Sequence, residues 1–154
     1  MNFSLQPHAN PWRGGDAADL IAQGLSPFAP EHAAIASGRI MLRMIREKVR
    51  RRESFAFETT LSGRNYARHI PRWRKLGYHV KLIFLSLPSV GMALARIQDR
   101  VAQGGHDIEP QVVRRRFSAG LRNLRSIYSK VVNSWILYDN SGTTLRLIAE
   151  GENR

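Results

Sequence analysis

His79-Val-Lys-Leu-Ile-Phe-Leu-Ser-Leu87 is the stretch that decides the fold. Val80, Leu82, Ile83, Phe84 and Leu85 form a nearly continuous apolar run, as expected of a parallel strand covered on both faces rather than a half-solvated one. The chain alternates on either side of it. Ser89 is placed to cap a helix whose inner face carries Val90, Leu94, Ile97 and Val101, and Gly104-Gly105 stops it. Glu109-Pro110 opens the next helix, with the stripe Val113, Phe117, Leu121, Leu124 and Tyr128. Ser134 to Tyr138 reads as a strand, Asp139 to Gly142 as a turn, and Leu145 to Ala149 as a last short strand.

Upstream, the spacing of Ile35, Leu42, Ile45 and Val49 predicts a long helix from about Glu31 to Arg52, with Pro30 in its first turn. Arg46, Lys48 and Arg50 to Arg52 complement the negative end of its dipole. Ser54 to Thr60 is a strand running into a turn. A helix starting at Leu61-Ser62, with Ser62 as cap, buries Tyr66, Ile70 and Trp73. Pro71 inside it predicts a kink or early break, and Gly77 ends it. Asp16 to Gly24 is a short helix. Residues 1–15 show no sustained periodicity and read as a tail or loop. Strand and helix alternate with connections of ordinary length. This predicts an α/β layered fold with a mainly parallel sheet, in one domain over residues 16–150.

The chain carries 24 Lys+Arg against 12 Asp+Glu, a formal net charge of +12. Such a balance attracts something anionic: a nucleotide, a nucleic acid or an acidic protein. Cysteine is absent, which excludes disulfides and thiolate metal sites and fits a cytoplasmic setting. No apolar run approaches the roughly 20 residues that span a bilayer. The start, MNFSLQPHANPWRGG, lacks the basic-then-apolar order of a secretory signal. The five histidines show no metal-ligand spacing, so no metal site is assigned.

Three stretches, in order, resemble the zeta-toxin family of P-loop kinases, which are UDP-N-acetylglucosamine kinase-like. They are Asp16-Ala-Ala-Asp-Leu-Ile-Ala-Gln-Gly-Leu-Ser-Pro-Phe28, Phe55-Ala-Phe-Glu-Thr-Thr-Leu-Ser-Gly-Arg64, and Arg100-Val-Ala-Gln-Gly-Gly-His-Asp-Ile108 followed by Arg114-Arg-Arg-Phe117. Trp135 to Gly142 (WILYDNSG) also fits. The resemblance implies a P-loop NTPase-like three-layer sandwich, ATP and Mg²⁺ as cofactors, and phosphoryl transfer to a hydroxyl of a small, UDP-sugar-like nucleotide substrate. It implies Asp19 as base, a role a carboxylate suits. It places substrate contacts at Glu58, Thr59 and Thr60, with Arg64 near, at the carboxyl end of a strand where open α/β sheets bind ligands. It implies that Arg100 and one or two of the following arginines hold the ATP phosphates, since guanidinium is always charged and donates in a fork. Three adjacent arginines cannot share one helix face. Arg114 and Arg115 are assigned this role, and Arg116 is left out.

One departure stands out. A P-loop kinase needs G-x-x-x-x-G-K-[ST], whose backbone amides cradle phosphate while the Lys reaches the outer phosphates and the hydroxyl holds Mg²⁺. These 154 residues contain no such motif. The expectation is an N-terminally truncated domain that lacks the first strand and phosphate loop, binds ATP weakly and is impaired as a kinase. The missing strand would be central, so residues 54–60 and 80–87 should pair directly or flank an open slot. A slot invites a partner strand or a homo-oligomer. An antitoxin protein is the partner the resemblance implies. A non-catalytic basic module for nucleic acid or an acidic protein is the alternative, and no membrane is expected.

Overall fold

The computed structural model describes residues 2–6, 30–105 and 107–154, with side chains from Gly38 onward. Five strands form one sheet: β1 Asn2–Gln6, β2 Phe55–Glu58, β3 His79–Ser86, β4 Ser134–Asp139 and β5 Arg146–Glu152, in the order β2-β1-β3-β4-β5. Between them run α1 Pro30–Arg50, α2 Asn65–Lys75, α3 Val90–Ala102 and α4 Pro110–Asn123. A five-residue π-turn, Leu124–Tyr128, continues α4 and leads through Ser129–Val131 into β4. The predicted helix over Asp16 to Gly24 lies outside the described residues.

The architecture is α/β, consistent with a partial P-loop-like fold. β3 and β4 pair in parallel, and β2 runs in their direction because both β2 and β3 are antiparallel to β1. These are the three strands on which the parallel reading rested. β1 and β5 run the other way.

The central position between β2 and β3 is neither empty nor closed by direct pairing. Asn2–Gln6 fills it, with Phe3 opposite Phe57 and Leu82, and Leu5 opposite Phe55 and Val80. The tail-or-loop reading of these residues is thereby corrected, and the open slot that pointed to an oligomer is gone. The overlooked signal is the alternation Asn-Phe-Ser-Leu-Gln, a period of two over five residues.

The core lies on one face of the sheet. Phe55, Phe57, Val80, Leu82, Phe84 and Leu137 are buried there against Met41 and Ile45 of α1, Ala67, Ile70 and Trp73 of α2, and Leu124, Tyr128 and Val132 beyond α4. The Phe55 ring meets the edges of Trp73 and Tyr78 at centroid distances of 5.7 and 5.8 Å, a favoured aromatic geometry. On the other face no described strand residue is fully buried: Ile83, Leu85, Ile136 and Tyr138 are half-buried, and Ala56 and Leu147 are exposed. β3 is thus sealed on one face and half-buried on the other.

Two helix details also differ from expectation. α2 starts at Asn65, not at Leu61-Ser62, because Leu61 takes a left-handed backbone, φ 56°, that a helix cannot continue. Pro71 does not break it: the helix runs through to Lys75. Ile70 and Trp73, buried on either side of Pro71, hold the turn in place, so packing outweighs the one lost backbone bond. The Ser89 cap forms as expected, its Oγ accepting from Met92 N at 3.2 Å.

Candidate functional site

The carboxyl ends of β2, β3 and β4 lie at one edge of the sheet, since the three strands share a direction. Glu58, Ser86 and Asp139 end them. In open α/β sheets this edge is where ligands sit.

The segment after β2, Thr59 to Arg64, is the most constrained part of that edge. Leu61 is 0% exposed with φ 56°. A left-handed leucine costs on the order of 1–2 kcal/mol in backbone energy. Full burial of its side chain returns about 1.5–3 kcal/mol, which makes the turn sustainable. Polar contacts fix the rest. Thr59 Oγ1 accepts from Leu61 N at 3.3 Å, and the hydroxyls of Thr60 and Ser62 are 2.9 Å apart. Asn123, 2% exposed, donates its amide to both Leu61 O and Ser62 O, at 2.9 and 3.0 Å. Tyr128 donates its hydroxyl to Gly63 O at 2.8 Å.

Burial pushes the Tyr128 phenol up to about 12, against the opposing effect of a backbone hydrogen bond with Ala67. Strained backbone held by its surroundings is typical of binding sites. Here three successive carbonyls are claimed by side chains from the far end of α4 and its π-turn. That leaves the backbone in one conformation, with Glu58 and Thr60 exposed beside it.

A second group gathers where β4 ends. Arg146 donates to Asp139 at 2.8 Å and Ser141 N donates to the same carboxylate at 2.9 Å. Arg146 first, then Ser141, hold the Asp139 carboxyl down at about 2. Asn140 N donates to Ser86 O at 2.9 Å, tying the turn to the end of β3. Arg96 of α3 donates to Asn140 O at 2.6 Å. Arg100, one helical turn further along the same side of α3, is half-buried. Gly105 folds back on it: a Cβ at Gly105 would lie 2.6 Å from Arg100 Cγ and 2.8 Å from Arg100 O. Gly104, with φ +87°, makes the turn that brings it there.

Each expected site residue now has a place. Glu58, Thr59 and Thr60 share the locked segment, with Arg64 exposed at the start of α2. Arg100 stands on α3, one helical turn beyond Arg96 and under Gly105. Arg114 and Arg115 are exposed on the first turns of α4, a separate helix packed against α3, and Arg116 is half-buried. Asp19 lies outside the described residues. Sequence reasoning missed Asn123 and Tyr128, whose partners lie about sixty residues away in the chain and leave no local trace.

Among the described residues no group of three His, Asp or Glu side chains is placed to hold a metal ion. β1 runs opposite to its neighbours, with Gln6 paired to His79 at the amino end of β3. The chain therefore leaves the central strand at the edge away from Glu58 and Asp139, where a phosphate-binding loop would not face them. No helix among the described residues is long and apolar enough to cross a membrane.

Comparison with known proteins identifies the family. The family model described as Zeta toxin matches residues 18–151. An uncharacterized protein of Haemophilus influenzae is 31% identical over 100 residues, covering 65% of this chain and 71% of the relative. No solved structure matches.

Proposed function

This chain belongs to the zeta toxin family, and from that premise we propose that its built site is the acceptor side of a phosphoryl-transfer enzyme. In this reading the ligand is a small hydroxyl-bearing nucleotide, a UDP-amino sugar. Glu58 and Thr60 accept and donate hydrogen bonds to it from the rigid segment after β2, with Thr59 shaping the turn and Arg64 offered to its diphosphate. Asp19 is the group assigned to take the proton of the acceptor hydroxyl. Arg100, with Arg114 or Arg115, balances phosphate charge. The observation that carries the proposal is the locking of Thr59–Gly63 by Asn123 and Tyr128. A strained turn fixed by its surroundings is an arrangement that presents neighbouring polar groups to a ligand in set positions.

The donor side is the weaker half. With no G-x-x-x-x-G-K-[ST] in these 154 residues and a central strand of reversed direction, ATP has arginines to meet but no amide cradle. The chain as it stands therefore binds Mg-ATP weakly and turns it over poorly. A cytoplasmic setting and an antitoxin protein as partner belong to the same reading.

Isothermal titration separates the two halves. UDP-N-acetylglucosamine is expected to bind, at least tenfold more weakly to Glu58→Gln, while Mg-ATP gives no saturable heat up to millimolar concentration. No binding of the UDP-sugar, or a micromolar Kd for Mg-ATP, overturns the proposal.

A further inference from the structure

The cations of this chain are not spread evenly. No Asp or Glu occurs from Thr59 to Gln98, nor from Pro110 to Tyr138. Those two spans supply α2 and the α4–π-turn segment, which pack into the same core on the same face of the sheet. They are neighbours. Asn123 and Tyr128 reach Leu61 to Gly63, and Arg74 donates to Val131 O at 3.2 Å. Each also carries exposed cations, so the two basic surfaces lie on the same side of the sheet.

On α2, Arg68, Arg72 and Lys75 are exposed. Steps of four and three residues put them on one side of the helix, about 6 and 4.5 Å apart along its axis. On the α4–π-turn segment, Arg122 and Arg125 are exposed in the same way and line a shallow groove of about 630 Å³ with Phe117, Ser118, Leu121 and Ser126. None of these five cations makes an ion pair with a described residue. The arginines at the end of α1 differ, since Arg50 and Arg51 both bond Glu47.

We propose that the outer surface of α2 and the α4–π-turn segment is a docking face for a nucleic-acid backbone, gripped by Arg68, Arg72, Lys75, Arg122 and Arg125. The choice of partner follows from what the surface lacks. Protein interfaces have an apolar centre from which charge is depleted, and peripheral membrane helices carry large apolar side chains to insert. The apolar side chains in the groove, Phe117 and Leu121, are half-buried and flanked by cations rather than forming an apolar centre; the exposed large hydrophobics among the described residues, Met44, Leu145, Leu147 and Ile148, lie elsewhere. Cations at regular spacing, the Ser118 hydroxyl and one aromatic ring in a groove suit phosphodiesters with a base laid against the ring. Binding is independent of base sequence, since nothing on the surface reads base edges. It does not depend on the acceptor-site reading and uses none of its residues.

Fluorescence anisotropy with the full chain tests this, using labelled mixed-sequence oligonucleotides of about 20 units as single-stranded RNA, single-stranded DNA and duplex DNA. About five phosphate contacts predict a slope near −4 in log affinity against log salt. The triple variant R68Q/R72Q/K75Q is expected to lose at least tenfold in affinity at 100 mM salt and to halve the slope. The charge-matched triple R39Q/R43Q/R46Q on α1 is expected to lose threefold or less. Circular dichroism checks that both fold, and the double variant R72Q/R125Q, expected to lose about fivefold, gives a second reading if either triple does not. Equal losses in the two triples, displacement by poly-glutamate at equal charge, or binding to phosphatidylserine vesicles without binding to any oligonucleotide would each overturn the proposal. Preference among the three oligonucleotides identifies the natural form.

Discussion

The two faces of the sheet are built from the same strands and have opposite characters. On one, Val80, Leu82 and Phe84 are sealed beneath α1, α2 and the π-turn. On the other, the alternate residues Lys81, Ile83 and Leu85 are only half-buried, and α3 has no buried residue at all. The strand is apolar on both sides, so composition does not make the difference. What differs is the supply of aromatic and branched side chains from above. The covered face receives Trp73, Tyr128, Ile70 and Leu124, and the opposite face receives no equivalent among the described residues. The side chains that fix the Thr59–Gly63 turn, Asn123 and Tyr128, therefore come from the covered side.

Paired truncations would break that contrast most directly. Leu82→Ala removes a fully buried side chain and is expected to cost about 2–5 kcal/mol, whereas Ile83→Ala, its neighbour on the other face, should cost about 1 kcal/mol or less. Urea unfolding of the two variants checks this, and equal costs would mean that the faces are equally packed. A smaller effect sharpens the link from the covered face to the site. Asn123→Ala leaves the carbonyls of Leu61 and Ser62 without their donor and should cost about 1–3 kcal/mol. Thermal unfolding measures the loss. UDP-sugar affinity should fall with it even though Asn123 is buried beneath the turn.

The smallest effect belongs to the turn after β4. The folded-state carboxyl of Asp139 sits at about 2, below its ordinary 3.8. Its contribution is therefore fully present above about pH 4 and is lost as pH falls toward 2. Asp139→Asn should remove that dependence, so that the two unfolding curves converge between pH 4 and 2. A gap of constant size across that range would show that the Arg146 and Ser141 bonds do not matter to stability.

Much of this fold was legible in the sequence. β3, β4 and α1 announce themselves through runs and periodicities long enough to outvote local noise, and the Ser89 cap through a single side-chain bond. The segment after β2 was legible from its residues as a strand running into a turn over Ser54 to Thr60, and as a candidate site through the resemblance of Phe55 to Arg64. Its left-handed Leu61 is unreadable locally because leucine has no intrinsic preference for that conformation; burial and distant donors impose it. Pro71 misled for the matching reason, since a local penalty of a few kcal/mol was outweighed by packing on either side. Asn2–Gln6 escaped because five alternating residues are too few to separate a strand from chance. Its place in the sheet depends on partners that begin at positions 55 and 79.

That short strand has a consequence for how the molecule opens. β2 is hydrogen-bonded in the sheet only to β1, whereas β1 is paired on both sides, so release of β1 strips β2 of every ladder bond while β3, β4 and β5 keep their own pairings. In amide hydrogen exchange, the β2 amides should therefore be protected no longer than those of β1. The turn that follows β2 hangs from that edge, and five residues near the start of the sequence thus bound how long it stays anchored to the sheet.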